Sequence, residues 1–176
     1  GREIIEVATF RAAHDPDHPS HVTDESGRIL QDNVYGDIEE DVWRRDFTVN
    51  ALYYDIADFA VVDYVGAMAD IEQRVLRLIG DPATRYKEDP VRMLRAVRFA
   101  AKLDFTIEQT AARAIFEHGR LLKDIPAARL YDEVLKIFHS GHAVQAYHLL
   151  RHYDLFRYLF PALDKYLNSE PSEVML

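Results

Sequence analysis

The chain has 176 residues, 48% of them apolar, which is enough to bury one ordinary core but not two large domains. It carries 30 acidic and 21 basic side chains and a formal charge of -9, so a nucleic-acid partner would need a local basic face. Zero cysteines exclude disulfides and cysteine-type zinc sites, and this composition suits a reducing cytoplasm. Asp55, Asp58 and Asp63 interrupt the most apolar stretch, so no membrane-spanning segment is predicted.

Residues 1–80 contain the strand-like patterns. The β-branched run at 4–10 is typical of a strand inside a sheet, and because the chain opens directly on it, we expect a piece of a longer protein. The polar residues at about 12–35 predict a long, mobile loop. A capping box at Asp37 predicts a helix that continues to about Ala57. Short strands are predicted at 61–65 and 75–79.

Residues 81–176 are predicted to be helical throughout. Aromatic side chains between 147 and 160 recur at helical spacing, which favours core packing over base stacking. The predicted fold class is therefore α+β, with a front of few strands plus helices at 1–80 and an all-α part at 81–176. The predicted helices lie at about 88–103, at 106–123, from 126 onward, and in shorter stretches within 142–160.

A dense polar cluster lies between residues 44 and 53. The adjacent Arg44 and Arg45 can fork onto the oxygens of a triphosphate, with planar donors that lysine lacks. Asp46 and Asn50 are four residues apart, a spacing that puts them on one face of the predicted helix. There they can orient the arginines or hydrogen-bond a ribose. The alternative is a solvated arginine pair beside a structural aspartate.

A second cluster begins with Glu88 and Asp89 and continues with arginines at every third position, Arg92, Arg95 and Arg98. Acids in the first helical turn and bases after it can reflect dipole matching and internal ion pairs alone. An acceptor and a fork donor fixed together at a helix start can equally bind the polar edge of a base. The sequence leaves both interpretations open.

Three motifs together resemble one family, the class II nucleotidyltransferases, which include the bacterial poly(A) polymerases and the CCA-adding tRNA nucleotidyltransferases. The resemblance covers Glu3 to about Leu163. Two further stretches, DNVYGDIEED at 32–41 and IPAARL at 125–130, resemble the poly(A) polymerase branch. The three motifs are IIEVATFR at 4–11, RRDFTVNAL at 44–52 and EDPVRMLRAVRF at 88–99.

This resemblance implies the C-terminal part of a catalytic head followed by a helical neck. It implies two metals, Mg2+, that activate an RNA 3′-hydroxyl to attack the α-phosphate of ATP. The family's Asp-x-Asp motif would lie upstream of Gly1, and Glu6 is the candidate third carboxylate, catalytic and metal-binding. The expected contacts are Arg44, Arg45, Asp46 and Asn50 to triphosphate and ribose, and Glu88, Asp89, Arg92 and Arg95 to the base, with Arg98 nearby.

The expected function is the addition of AMP to the 3′ ends of mRNA and other RNAs in the cytoplasm, by a complete enzyme of which this chain is an inactive part. The alternatives are a CCA-adding enzyme that also uses CTP, and a non-catalytic module that binds RNA or nucleotide. The family usually has glycine where this chain has Asp104, and a left-handed turn is expected there.

Overall fold

The structure is a computed structural model, and it describes residues 7–11, 22–23, 29–31 and 35–169. The predicted α+β class is confirmed. The described part of the predicted first strand, residues 7–10, is neither helix nor strand, and a short strand pair lies within the predicted loop. The strand pairs are β1 (Val22–Thr23) with β2 (Ile29–Gln31), β3 (Leu52–Asp55) with β4 (Ala60–Asp63), both antiparallel, and β5 (Val75–Leu76) with β6 (Thr106–Ile107), parallel.

Helices account for most of the described chain. Residues 48–50 and 119–124 form 3₁₀ helices. No described helix is long and apolar enough to cross a membrane. The α-helices are α1 (Ile38–Arg44), α2 (Ala67–Glu72), α3 (Pro82–Glu88), α4 (Val91–Leu103), α5 (Gln109–His118), α6 (Ala127–Phe138), α7 (Ala143–His152), α8 (Phe156–Leu159) and α9 (Pro161–Ser169).

The single helix predicted from Asp37 to about Ala57 is wrong beyond its first two turns. Asp37 caps α1 as predicted, but α1 ends at Arg44, and a 3₁₀ turn and β3 follow. The backbone after α1 is paired elsewhere, because the Thr48 amide donates to the Arg77 carbonyl at 3.0 Å and the Ile79 amide to the Asp46 carbonyl at 2.8 Å. These long-range bonds satisfy groups that a continuous helix would use itself.

Two helix starts also differ from the prediction. The first helix predicted after residue 80 begins only at about residue 88, yet Asp81 caps α3, and its carboxylate accepts from the Thr84 amide at 2.8 Å. Thr106 is not the cap of α5, since it pairs with Val75 in the β5–β6 ladder, and the prediction that residues 81–176 are helical throughout is therefore wrong at this strand. Glu108 caps α5 instead. In both cases a side-chain oxygen that satisfies free helical amides decides where the helix begins.

The left-handed turn expected at Asp104 is confirmed, with φ 56° and ψ 47°. Asp104 ends α4, and its carboxylate accepts from Arg74 Nη1 at 3.2 Å. Aspartate tolerates this backbone region better than most residues do, so the departure from glycine leaves the turn in place.

One apolar core crosses the predicted boundary at 80–81. Phe47, Leu76 and Leu78, which precede this boundary, are buried in the same cluster as Met93 and Leu150, which follow it. Core packing of the aromatic residues between 147 and 160 is confirmed, because they are buried in this cluster or packed against it. The front and the helical part are therefore held together by shared apolar burial.

A buried ion pair fastens α4 to α6. Arg98 Nε donates to Glu133 Oε1 at 2.6 Å, and the Glu133 side chain is 4% exposed. The Arg98 guanidinium also lies 4.4 Å from the centre of the Phe99 ring. Such a pair contributes little when intact, but the removal of one partner leaves a buried charge without compensation.

We expect Glu133→Ala to lower the free energy of unfolding by about 3–5 kcal/mol, because Arg98 would remain buried without its carboxylate. Urea denaturation measures this loss. The matched control is Arg157→Ala, which breaks the Arg157–Asp154 pair, where both side chains are about half exposed. That change should cost about 1 kcal/mol or less. Equal losses in the two variants would contradict this account.

Candidate functional site

A cleft of about 500 Å3 lies where the segment after α1 meets the start of α4. Its walls combine residues from both sequence clusters, and seven of the nine predicted nucleotide-binding residues line it. The lining residues are Arg44, Arg45, Asp46, Asn50, Asp89, Arg92, Arg95 and Phe99.

The cleft is a local basic face on an acidic chain. Four guanidinium groups line it against two carboxylates, so its formal charge is positive while the chain carries -9. Arginines that converge on one concave surface favour a multivalent anion such as a phosphate chain. The local basic face that a nucleic-acid partner would need is therefore present here.

Asp46 organises the floor of the cleft. Its Oδ1 accepts from the Phe47 amide and from Asn50 Nδ2, both at 2.9 Å. Its Oδ2 accepts from Arg95 Nε and Nη2, both at 2.6 Å. Both carboxylate oxygens are thus occupied by protein donors. Asp46 orients Asn50 and Arg95, whereas the sequence interpretation had Asp46 and Asn50 orienting Arg44 and Arg45 from one α-helical face.

Arg45 is held against the wall by Asp41 and Tyr53. Arg45 Nε donates to Asp41 Oδ2 at 3.0 Å and to the Tyr53 hydroxyl at 2.8 Å, and Nη1 donates to the Asn50 carbonyl at 2.9 Å. Burial alone would raise the pKa of the Asp41 carboxyl, but hydrogen bonds from Tyr53 and Arg45 together lower it below its ordinary value. The Asp41 carboxylate therefore stays ionised and keeps Arg45 in place.

The opposite wall is built at the junction of α3 and α4. Arg92 Nη1 donates to the Glu88 carboxylate at 2.9 Å and to the Arg85 carbonyl at 2.8 Å, and Nη2 and Nε of Arg92 bond to none of the residues that the structure describes. Asp89 accepts from the Val91 amide at 3.1 Å. The junction thus fixes one fork donor and one carboxylate side by side, as the base-binding interpretation requires.

Two predicted site residues in the described part of the chain, Glu88 and Arg98, do not line the cleft. The Glu88 carboxylate accepts hydrogen bonds from Arg92 and Arg85 and is not part of the cleft lining. Arg98 points to Glu133 between α4 and α6. Glu6 lies outside the described residues. Within the described residues, no group of three or more carboxylate or histidine side chains is arranged to hold a metal ion.

Sequence reasoning missed three residues around the cleft. Arg85 bonds to the carbonyls of Arg44 and Arg45, and Arg129 Nη2 donates to Asp89 at 2.7 Å. The Phe99 ring lies 5.4 Å from the Arg95 guanidinium. Phe99 and Arg129 lie within the motifs at 88–99 and 125–130, so the sequence could have indicated both as site residues. Arg85 had no such signal, because α3 was not predicted.

Family models match both parts of the chain. A model described as "Poly A polymerase head domain" matches residues 1–77, and one described as "Probable RNA and SrmB- binding site of polymerase A" matches residues 104–167. Residues 89–99, which supply half of the lining residues of the cleft, lie between the matched ranges.

Individual relatives agree with these models. The chain is 51% identical to poly(A) polymerase I of Salmonella typhimurium over 99% of its own length and 38% of that protein. It is 36% identical to the CCA-adding enzyme of Lactobacillus helveticus, over 85% of this chain and 35% of the relative. The chain thus spans little more than a third of the length of these relatives.

The fold is also similar to that of a solved relative, the Bacillus stearothermophilus CCA-adding enzyme in complex with CTP. The TM-score is 0.67 at 35% identity, over 72% of this chain and 32% of the other. Matches to head and RNA-binding models, relatives along almost the whole chain and a shared fold agree with one another. The chain belongs to the nucleotidyltransferase family that contains the poly(A) polymerases and the CCA-adding enzymes.

Proposed function

We propose that the complete protein carrying this chain adds AMP from ATP to the 3′ ends of RNA. The observation that carries the proposal is the cleft, in which four arginines from two distant segments surround a space of about 500 Å3. The 51% identity to a poly(A) polymerase I supports ATP as the nucleotide. Positioning and charge stabilisation dominate phosphoryl-transfer catalysis, and they are what clustered arginines provide.

Each wall of the cleft has a separate task in this proposal. Arg44 and Arg45 bind the triphosphate, Arg95 is aimed by Asp46, and the Asn50 amide is available to the ribose. The Nη2 and Nε hydrogens of Arg92, together with the Asp89 carboxylate, face the polar edge of the base. Bases differ in that edge whereas triphosphates are identical, so base choice belongs to the Arg92 wall.

Mg2+ is proposed as the metal of the complete protein, with Glu6 as one ligand and carboxylates from outside this chain as the others. The described residues form no metal site, so they are assigned only to binding and orienting the nucleotide. The RNA partner is proposed to include mRNA. A cytoplasmic location is proposed from the absence of cysteine.

A CCA-adding activity is the second candidate. It is favoured by the similarity to a CCA-adding enzyme in complex with CTP, with a TM-score of 0.67. The two candidates differ in base choice and in the RNA that accepts the nucleotide. The ratio of AMP to CMP incorporation on one RNA primer separates them, because a poly(A) polymerase prefers ATP.

Replacement of Arg44 or Arg45 by Ala in the complete protein should lower kcat/KM for ATP roughly ten- to a hundredfold, since a charge-assisted contact is worth about 1.5–3 kcal/mol. Steady-state kinetics on an RNA primer measures the loss. Arg74→Ala is the control, because the Arg74–Asp104 pair is exposed and does not line the cleft. Unchanged kinetics in both cleft variants would return Arg44 and Arg45 to a solvated surface role.

Arg92→Lys keeps the charge but loses the planar fork. If Arg92 binds the base, this change should reduce the ratio of ATP to CTP incorporation more than it reduces the overall rate. The measurement compares wild type and variant on the same primer. An unchanged ratio argues against base binding by Arg92, and a wild type that adds CTP as readily as ATP argues against the poly(A) assignment.

The 176-residue chain on its own should extend no RNA, because the residues that the structure describes form no carboxylate cluster of the kind that two metals need. The assay incubates the purified chain with ATP, Mg2+ and an RNA primer, and the complete protein serves as the positive control. ATP-dependent extension by the chain alone would refute the assignment of the metal site.

A further inference from the structure

Arg85 lies behind the cleft rather than in it. It belongs to α3, its side chain is 15% exposed, and it is not among the lining residues. Its stem passes close to Gly80, where φ is +86° and an added Cβ would lie 3.5 Å from Arg85 Cδ. Glycine at this turn therefore permits the backbone angle and leaves ordinary contact distance for the arginine stem.

The Arg85 guanidinium bonds to the backbone carbonyls of Arg44 and Arg45, the two arginines proposed to bind the triphosphate. Its Nη2 donates to the carbonyl of Arg44 at 2.9 Å and to that of Arg45 at 2.7 Å. These carbonyls lie at the end of α1, about forty residues away in sequence, where helical carbonyls have no partner within their own helix. Arg85 thus ties the end of α1 to α3.

The same guanidinium continues to the base-facing wall. Arg85 Nη1 donates to Glu88 Oε2 at 2.9 Å, and the same oxygen accepts from Arg92 Nη1 at 2.9 Å. Arg92 Nη1 also donates to the Arg85 carbonyl at 2.8 Å. One carboxylate oxygen therefore joins two arginines, and an unbroken path of hydrogen bonds leads from Arg44 and Arg45 to Arg92.

The path is electrostatically demanding. Burial and the nearby Arg92 charge lower the pKa of Arg85, and the Glu88 carboxylate opposes this effect. Arg85 Nε is buried and has no hydrogen-bond partner among the described residues. Burial of the Arg85 cation beside the Arg92 cation costs free energy, and side-chain packing alone would not require a charged group here. This argues that the fork geometry of the Arg85 guanidinium is the property that matters.

We infer that Arg85 is a positioning residue that holds Arg92 in register with Arg44 and Arg45, so that selection of the base depends on Arg85 although it does not line the cleft. The inference rests on the proposed function in taking Arg92 as the base-facing donor. Lysine cannot replace Arg85, because a single ammonium lacks the fixed fork that serves two carbonyls and a carboxylate at once.

The test uses the complete protein in a double-mutant cycle of Arg85→Lys and Arg92→Lys. Equilibrium affinities for ATP and CTP are measured by calorimetry, and thermal unfolding is recorded alongside. Arg85→Lys should reduce the ATP-to-CTP affinity ratio roughly as far as Arg92→Lys does, and the double variant no further, because residues on one path are not additive. The control Arg74→Lys should leave the ratio unchanged, since its ion pair is exposed.

An unchanged ratio in Arg85→Lys, accompanied only by a lower unfolding temperature, would overturn the inference, and so would additive effects in the double variant. The neutral Arg85→Gln replaces lysine if that variant does not fold, and failure of both to fold would make Arg85 purely structural. If the wild-type protein prefers ATP in binding but extends no RNA, the proposed function is refuted. The inference is then decided by the ATP-to-CTP affinity ratios of the variants alone. Wild type without any preference would refute the inference.

Discussion

The contact between Asp46 and Arg95 joins the two halves of the cleft, and the rest of the arrangement depends on it. It connects residues 49 positions apart at 2.6 Å, and the same carboxylate holds Asn50. The Asp46 carbonyl also accepts from the Ile79 amide, just before α3 begins. Asp46 therefore links the segment after α1 to α4 and to the backbone just before α3. Without it, Arg95 would lose the carboxylate that fixes its direction beside the other arginines of the cleft.

Several of the acidic side chains hold arginines in place. Each of four carboxylates around the cleft forms an ion pair with one or two arginines, and Glu133 does the same for Arg98 between α4 and α6. The pairs around the cleft are Asp41 with Arg45, Asp46 with Arg95, Glu88 with Arg85 and Arg92, and Asp89 with Arg129. Paired arginines have fixed forks, whereas free arginines are flexible. A net charge of -9 is therefore compatible with a basic binding surface.

The errors in the predicted elements share one cause. Helical periodicity after Asp37 is real, yet the amides and carbonyls of 46–48 bond to residues 77–79, and this long-range pairing ends the helix. Thr106 has the pattern of a helix cap, but it pairs with Val75. Local propensity is a weak bias, and a distant backbone segment that offers well-aligned hydrogen bonds overrides it. No window of sequence contains that partner.

The sequence by itself determined the α+β class, the helical content after residue 81, the left-handed turn at Asp104 and the family. It also singled out most of the residues that line the cleft, because the order and spacing of the motifs that contain them resemble those of one family. Only the tertiary structure decided that Arg98 belongs to a buried pair with Glu133, that Glu88 stands behind Arg92, and that Arg85 bridges the two walls. The physical reason is that an arginine side chain can reach several acceptors. Which acceptor it meets depends on which helices pack together, and that is set by the shared apolar core rather than by neighbours in the chain.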